Sequence, residues 1–83
     1  MGMVEIKVYG ADWCGDCRRA KGMLDRMDVS YEYLDVDIDL DAKAEAIRIS
    51  GRKNIPVIVF PEGDVLVEPT DPELEKTLLR RSA

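Results

Sequence analysis

The sequence predicts an α/β fold in the order β-α-β-α-β-β-α, with a mixed four-stranded sheet flanked by three helices. Three observations predict it. Short apolar runs of strand character recur toward both ends of the chain, helix-period apolar stripes lie between and after them, and the connections are short. A strand pair joined by a helix, then a second helix and a terminal hairpin, closes into one sheet between helix layers. At 83 residues the chain is expected to form a single domain over 1–83, near the size at which only about 60 % of the unfolded surface becomes buried.

Val4, Ile6 and Val8 alternate with Glu5, Lys7 and Tyr9, which makes a first strand with one strongly apolar face and one face expected to be partly solvated. Residues 10–13 form a loop. From about Cys14, the residues Cys17, Ala20, Leu24 and Met27 recur at helical spacing, with Met23 widening the stripe. Residues 29–36, including Tyr31, Tyr33 and Val36, read as the second strand. In a second helix over 40–49, Ala42, Ala46 and Ile49 share one face, and Gly51 suits the left-handed position after its end. The runs 57–60 and 65–67 flank Pro61-Glu62-Gly63-Asp64, a turn with glycine where positive φ is wanted, and make a β-hairpin. Thr70-Asp71-Pro72-Glu73 is a capping box with proline in the first turn, and Leu74, Leu78 and Leu79 are expected to bury the face of a last helix.

Composition removes several functions. A net charge of −5 lacks the basic surface that phosphate recognition draws on, so nucleic acid is not expected as a partner. There is no 18-residue apolar stretch and no basic leader before an apolar run, which predicts a soluble, unprocessed protein without membrane contact; a cytoplasmic location and a monomeric state are separate expectations. Gly2 does not make a myristoylation signal, because Ile6 stands where serine or threonine is required. Two cysteines and no histidine cannot build a four-ligand zinc site, a disulfide scaffold or a histidine-assisted nucleophile. Asp35, Asp37, Asp39 and Asp41 alternate as in a calcium loop, but Leu40 and Ala46 occupy the positions of its glycine and bidentate glutamate. A solvated strand end and helix cap is the expectation there, and no bound metal or cofactor is predicted.

The chemistry then rests on Cys14-Gly15-Asp16-Cys17, which lies where a strand and loop give way to a helix. Unpaired N–H groups and the positive end of the helix dipole favour the thiolate of Cys14, the candidate nucleophile. Cys17, one turn inward, is placed to attack a mixed disulfide on Cys14 and is the candidate resolving thiol. The alternative is two small buried hydrophobes three apart. Trp13 reads either as a core aromatic or as an apolar wall beside the reactive sulfur. Asp12 and Asp16 oppose thiolate formation while Arg18 and Arg19 assist it. Pro56, before a strand, reads as a strand-opening residue; a cis bond to Ile55 would expose the Ile55 backbone to an extended substrate.

At these residues the chain resembles the glutaredoxin group of the thioredoxin superfamily, and the resemblance covers essentially its whole length. Trp13-Cys14-Gly15-Asp16-Cys17 resembles the active-site box, Ser50-Gly51-Arg52-Lys53-Asn54-Ile55-Pro56 the segment carrying the cis-proline, and Asp35-Val36-Asp37 the second strand end. The resemblance implies a thioredoxin fold and a dithiol oxidoreductase with Cys14 as nucleophile, Cys17 as resolving thiol, Pro56 as cis-proline and Ile55 as backbone contact for a bound thiol. Where glutathione-using members carry Gly-Gly and then paired acids, this chain has Val67, Glu68 and Pro69 before Thr70 and Asp71. That ending is similar to mycoredoxins, which serve mycothiol; glutathione-dependent glutaredoxins rank second and thioredoxin-like protein-disulfide reductases third. A non-catalytic module or Fe–S carrier would usually lack one active-site cysteine, and Cys17 is present. The implied partners are a small thiol co-substrate, mycothiol or glutathione, disulfide-containing proteins, and a thiol or disulfide reductase system. Arg52 and Lys53 are candidates for a carboxylate or sugar, Thr70 and Asp71 for an amine or hydroxyl, against the plainer reading of solvated loop residues.

Overall fold

The computed structural model of the protein describes residues 5–82. Its elements are β1 (Ile6–Gly10), α1 (Gly15–Arg26), β2 (Tyr31–Asp35), α2 (Leu40–Ser50), β3 (Val57–Val59), β4 (Val65–Val67) and α3 (Asp71–Ser82), in the expected order. Val4 lies outside the described residues. The sheet order is β2-β1-β3-β4, with β1 parallel to β2 and antiparallel to β3, and β3 antiparallel to β4. The mixed sheet therefore has β1 near its centre, and β1 feeds directly into the cysteine loop.

Two apolar layers hold it. On one face Ile6, Val8, Ile58 and Phe60 pack with Ala20, Met23 and Leu24 of α1 and Leu74 and Leu78 of α3. On the other, Tyr9, Val36 and Val57 pack with Ala42 and Ala46 of α2. The helix ends follow the sequence signals. Asp39 caps α2 by accepting the Ala42 N–H at 3.1 Å, and Gly51 ends it at φ 82°, a conformation that costs a β-carbon-bearing residue more. Thr70 and Glu73 form the reciprocal capping box, Thr70 N–H to Glu73 Oε1 at 2.8 Å and Glu73 N–H to Thr70 Oγ1 at 3.3 Å.

Two expectations fail. Alternation put Tyr9 with Glu5 and Lys7 on a partly solvated face, yet Tyr9 is 1 % exposed beneath α2. Its ring fills the layer and its hydroxyl finds a carboxylate, donating to Glu45 Oε1 at 3.2 Å; burial beside that acid pushes the phenol up to about 12. Leu79 is 56 % exposed instead of buried. Five residues after Leu74 it stands about 140° round the helix axis, and Thr77 takes the inner position, its hydroxyl donating to Glu73 O at 3.1 Å.

Candidate active site

Past β1 the chain turns as the Cys14 N–H donates to Ala11 O at 3.1 Å, and α1 begins at Gly15 with Cys14 as its N-cap. Cys14 Sγ accepts the Cys17 N–H at 3.2 Å. A negative charge on this sulfur would face that N–H and the positive end of α1. Across the loop, Cys14 Sγ lies 3.9 Å from the carbonyl oxygen of Ile55, and the Ile55–Pro56 bond is cis. Both cysteines are free thiols. Cys14 retains 8 % exposure, whereas Cys17 has none, packed with Ala11 and Ile55. Burial, then the contact with Cys14, pushes the Cys17 thiol up to about 12.

Gly10 makes this packing possible. A Cβ at Gly10 would sit 2.8 Å from Cys17 Sγ, closer than atoms tolerate, so only glycine lets the end of β1 lie against the inner sulfur. The sequence places Gly10 in the loop, whereas it closes β1; the signal for its role is a glycine ending an apolar strand, a mark of close backbone approach.

Nearby charges are mostly committed. Arg19 bonds Asp16 at 2.7 Å and Asp71 at 3.0 Å, while Arg18 donates to Asp12 O at 2.7 Å. Arg19 is thus neutralised by two carboxylates. Along the aspartate run, Asp35 accepts the Asp37 N–H at 2.9 Å, Asp39 caps α2, and Asp37 accepts the indole N–H of Trp13. Trp13 is 68 % exposed and so is not a core aromatic.

The structure gathers some of the predicted site residues and separates others. Trp13, Asp37, Lys43, Arg52, Lys53 and Ile55 line a groove of about 160 Å³ that opens beside the Cys14 loop. Pro56 is buried and does not line the groove. Thr70 and Asp71 are not in the groove; Thr70 is occupied by the capping box and Asp71 by Arg19. Glu68, which is not among the binding residues the sequence predicts, adopts φ 49° and its carboxylate accepts from the amide of Asn54, a groove residue, at 2.9 Å. A larger cavity of about 400 Å³ between β4 and α3 is lined by Leu66, Pro69 and Thr77 among others and includes neither cysteine.

Comparison with known proteins meets this geometry. The glutaredoxin family model matches residues 6–66. Glutaredoxin 3 of Escherichia coli (strain K12) is 34 % identical over 56 residues, 68 % of each chain. A Mycobacterium tuberculosis relative (strain ATCC 25618 / H37Rv), named as a glutaredoxin, is 25 % identical over 76 residues, 90 % of each chain. The crystal structure of the glutaredoxin from Archaeoglobus fulgidus superposes with a TM-score of 0.77 at 26 % identity, covering 93 % of this chain and 88 % of that one. The thioredoxin-like sheet, the Cys14–Cys17 spacing at a helix start and the family match agree, and the chain belongs to the glutaredoxin family of thiol-disulfide oxidoreductases.

Proposed function

We propose that the protein reduces mixed disulfides between proteins and a low-molecular-weight thiol, that Cys14 is the nucleophile and Cys17 the resolving thiol, and that the thiol is mycothiol. The observation that carries the roles is the position of Cys14 Sγ, 3.2 Å from the Cys17 N–H and 3.9 Å from the carbonyl oxygen of Ile55, a residue that lines the groove. The Cys14 thiolate attacks the small-thiol sulfur of the mixed disulfide, and the protein thiolate leaves and takes up a proton. The new disulfide on Cys14 is then opened by a second small thiol or by Cys17. A thiol or disulfide reductase system restores the small thiol. Dependence on a reduced thiol pool fits a cytoplasmic location, and the proposed working form is a monomer.

The mycothiol reading is supported by what surrounds the last helix. Recognition of the glutathione amine would draw on Asp71 and the first turn of α3, but Asp71 is paired with Arg19 and the Thr70 N–H is taken by Glu73. Mycothiol carries an acetylated cysteine without a free amine, and its sugar and inositol suit the Trp13 face and the polar side chains of the groove. Glutathione, the co-substrate of glutaredoxins, is the second reading, favoured by Lys43, Arg52 and Lys53, which suit its carboxylates.

The test presents one model thiol as its mycothiol and its glutathione mixed disulfide. We expect kcat/KM at least tenfold higher for the former, which needs only about 1.4 kcal/mol of differential transition-state binding. Equal or faster turnover of the glutathione form would discard mycothiol and leave the oxidoreductase assignment standing.

A further inference from the structure

We infer that Tyr33 is a positioning residue for the resolving thiol, its hydroxyl supplying a hydrogen bond to the Cys17 sulfur when that sulfur becomes charged. The inference rests on the reading that Cys17 resolves disulfides formed on Cys14.

The parallel register sets Tyr33 beside Val8, and Tyr33 packs against the core layer that α1 covers. Cys17 and Lys21 lie one turn apart on α1, so both face the same strip of sheet. Lys21 Nζ stands 4.1 Å from the Tyr33 ring centroid, and this cation–π contact holds the ring. Its hydroxyl reaches the space left by Gly10: a Cβ there would lie 2.8 Å from Cys17 Sγ and 3.0 Å from Tyr33 Oη. The sulfur and the hydroxyl thus flank one small gap.

The other two tyrosines show what this hydroxyl lacks. Tyr9 donates to Glu45 at 3.2 Å and Tyr31 donates to Asp25 at 2.9 Å. Tyr33 has no such acceptor among the described residues. Burial, followed by the charge of Cys17, pushes the Tyr33 phenol up to about 12, so at neutral pH it is protonated and able to donate.

The resolving step needs such a donor. Cys17 gives its proton to solvent, its sulfur attacks Cys14 Sγ, and the Cys14–Cys17 disulfide forms as the bond from Cys14 to the bound thiol breaks. The released thiolate takes up a proton. The transient charge on Cys17 develops in a fully buried place where water cannot solvate it. A hydrogen bond to a charged group is worth more than one to a neutral group, and Tyr33 is the side chain poised to make it.

The experiment uses the reduced full chain and the aromatic disulfide dithiobis-nitrobenzoate. Attack by Cys14 releases a first equivalent of coloured thiol and attack by Cys17 a second, which Cys17→Ser should remove. In Tyr33→Phe, which keeps the ring over which Lys21 sits, we expect the first release at the wild-type rate and the second slowed about tenfold. The pH midpoint of the second release should also rise, since Asp12, Asp16, Asp35 and Lys21, the charged groups facing this pair, are unchanged. A second release at the wild-type rate and midpoint, or both releases slowed alike, would overturn the inference. Failure of wild-type Cys14 to release the first equivalent would overturn the oxidoreductase reading, and the inference with it.

Discussion

Cys14 and Cys17 are one helical turn apart, yet they meet opposite surroundings. Cys14 keeps some solvent access, receives a backbone N–H and follows Trp13, which lines the groove. Cys17 is sealed between Ala11, Ile55 and the bare backbone of Gly10, and burial holds it protonated. Spacing brings two sulfurs close enough to exchange; their surroundings are what the proposed division of roles draws on. The proposed roles rest on this difference between a partly exposed and a fully buried sulfur.

The sharpest way to break the comparison is to exchange each sulfur for oxygen. Cys14→Ser should lower reduction of a small-thiol mixed disulfide by about three orders of magnitude or more, because the attacking sulfur is gone. Cys17→Ser should stay within about tenfold of wild type on the same substrate, since a second small thiol can open the Cys14 adduct. Equal losses in two folded variants, measured as kcat/KM, would mean that the sulfurs do not have separate tasks.

The buried thiol should also be visible in alkaline unfolding. Cys17 ionises near 9.0 when unfolded and at about 12 in the fold, so between those values the unfolded chain holds fewer protons. The stability that burial contributes is complete below pH 9 and lost as pH rises toward 12, by an amount on the order of a few kcal/mol. Tyr9 and Tyr33, raised from 10.0 to about 12, add to the same slope from pH 10 upward. Denaturant melts of reduced wild type and Cys17→Ser should therefore diverge in slope from pH 9. Parallel curves would show that Cys17 is solvated in the fold.

A smaller effect tests the wall behind the inner sulfur. Gly10→Ala puts a methyl 2.8 Å from Cys17 Sγ, and the start of α1 must shift to admit it. We expect a loss of about 1–3 kcal/mol in equilibrium unfolding, as for other overpacked sites. A change under about 0.5 kcal/mol would show that the gap is roomier than the structure gives it.

Much of this was legible in the residues because it is local. The N-cap at Asp39, the glycine at 51, the Thr70–Glu73 box and the start of a helix at the cysteines depend on residues within a turn of one another. The element order follows from the same short-range periodicity, as does the alternation of Ile6 and Val8 on one face. Periodicity fails where a side chain serves two environments. Tyr9 counted as polar because of its hydroxyl, although its ring is what the α2 layer needed, and Leu79 counted as core because it is apolar, although the helix turns it outward.

By itself, then, the sequence determined the alternation of strands and helices, their caps, and the placing of two sulfurs one turn apart at a helix start. Tertiary structure alone decided that Ile55 O, 41 residues away, stands against Cys14, and that Asp37, 24 residues away, holds Trp13. It also decided that the Cys17 sulfur and the Tyr33 hydroxyl meet at the bare backbone of Gly10 and that Asp71 belongs to Arg19 rather than to the groove. The physical reason is range: capping and periodicity act between near neighbours, whereas the surroundings of a sulfur are set by how the sheet and its helix layers pack, bringing together residues whose sequence separation carries no signal of their contact.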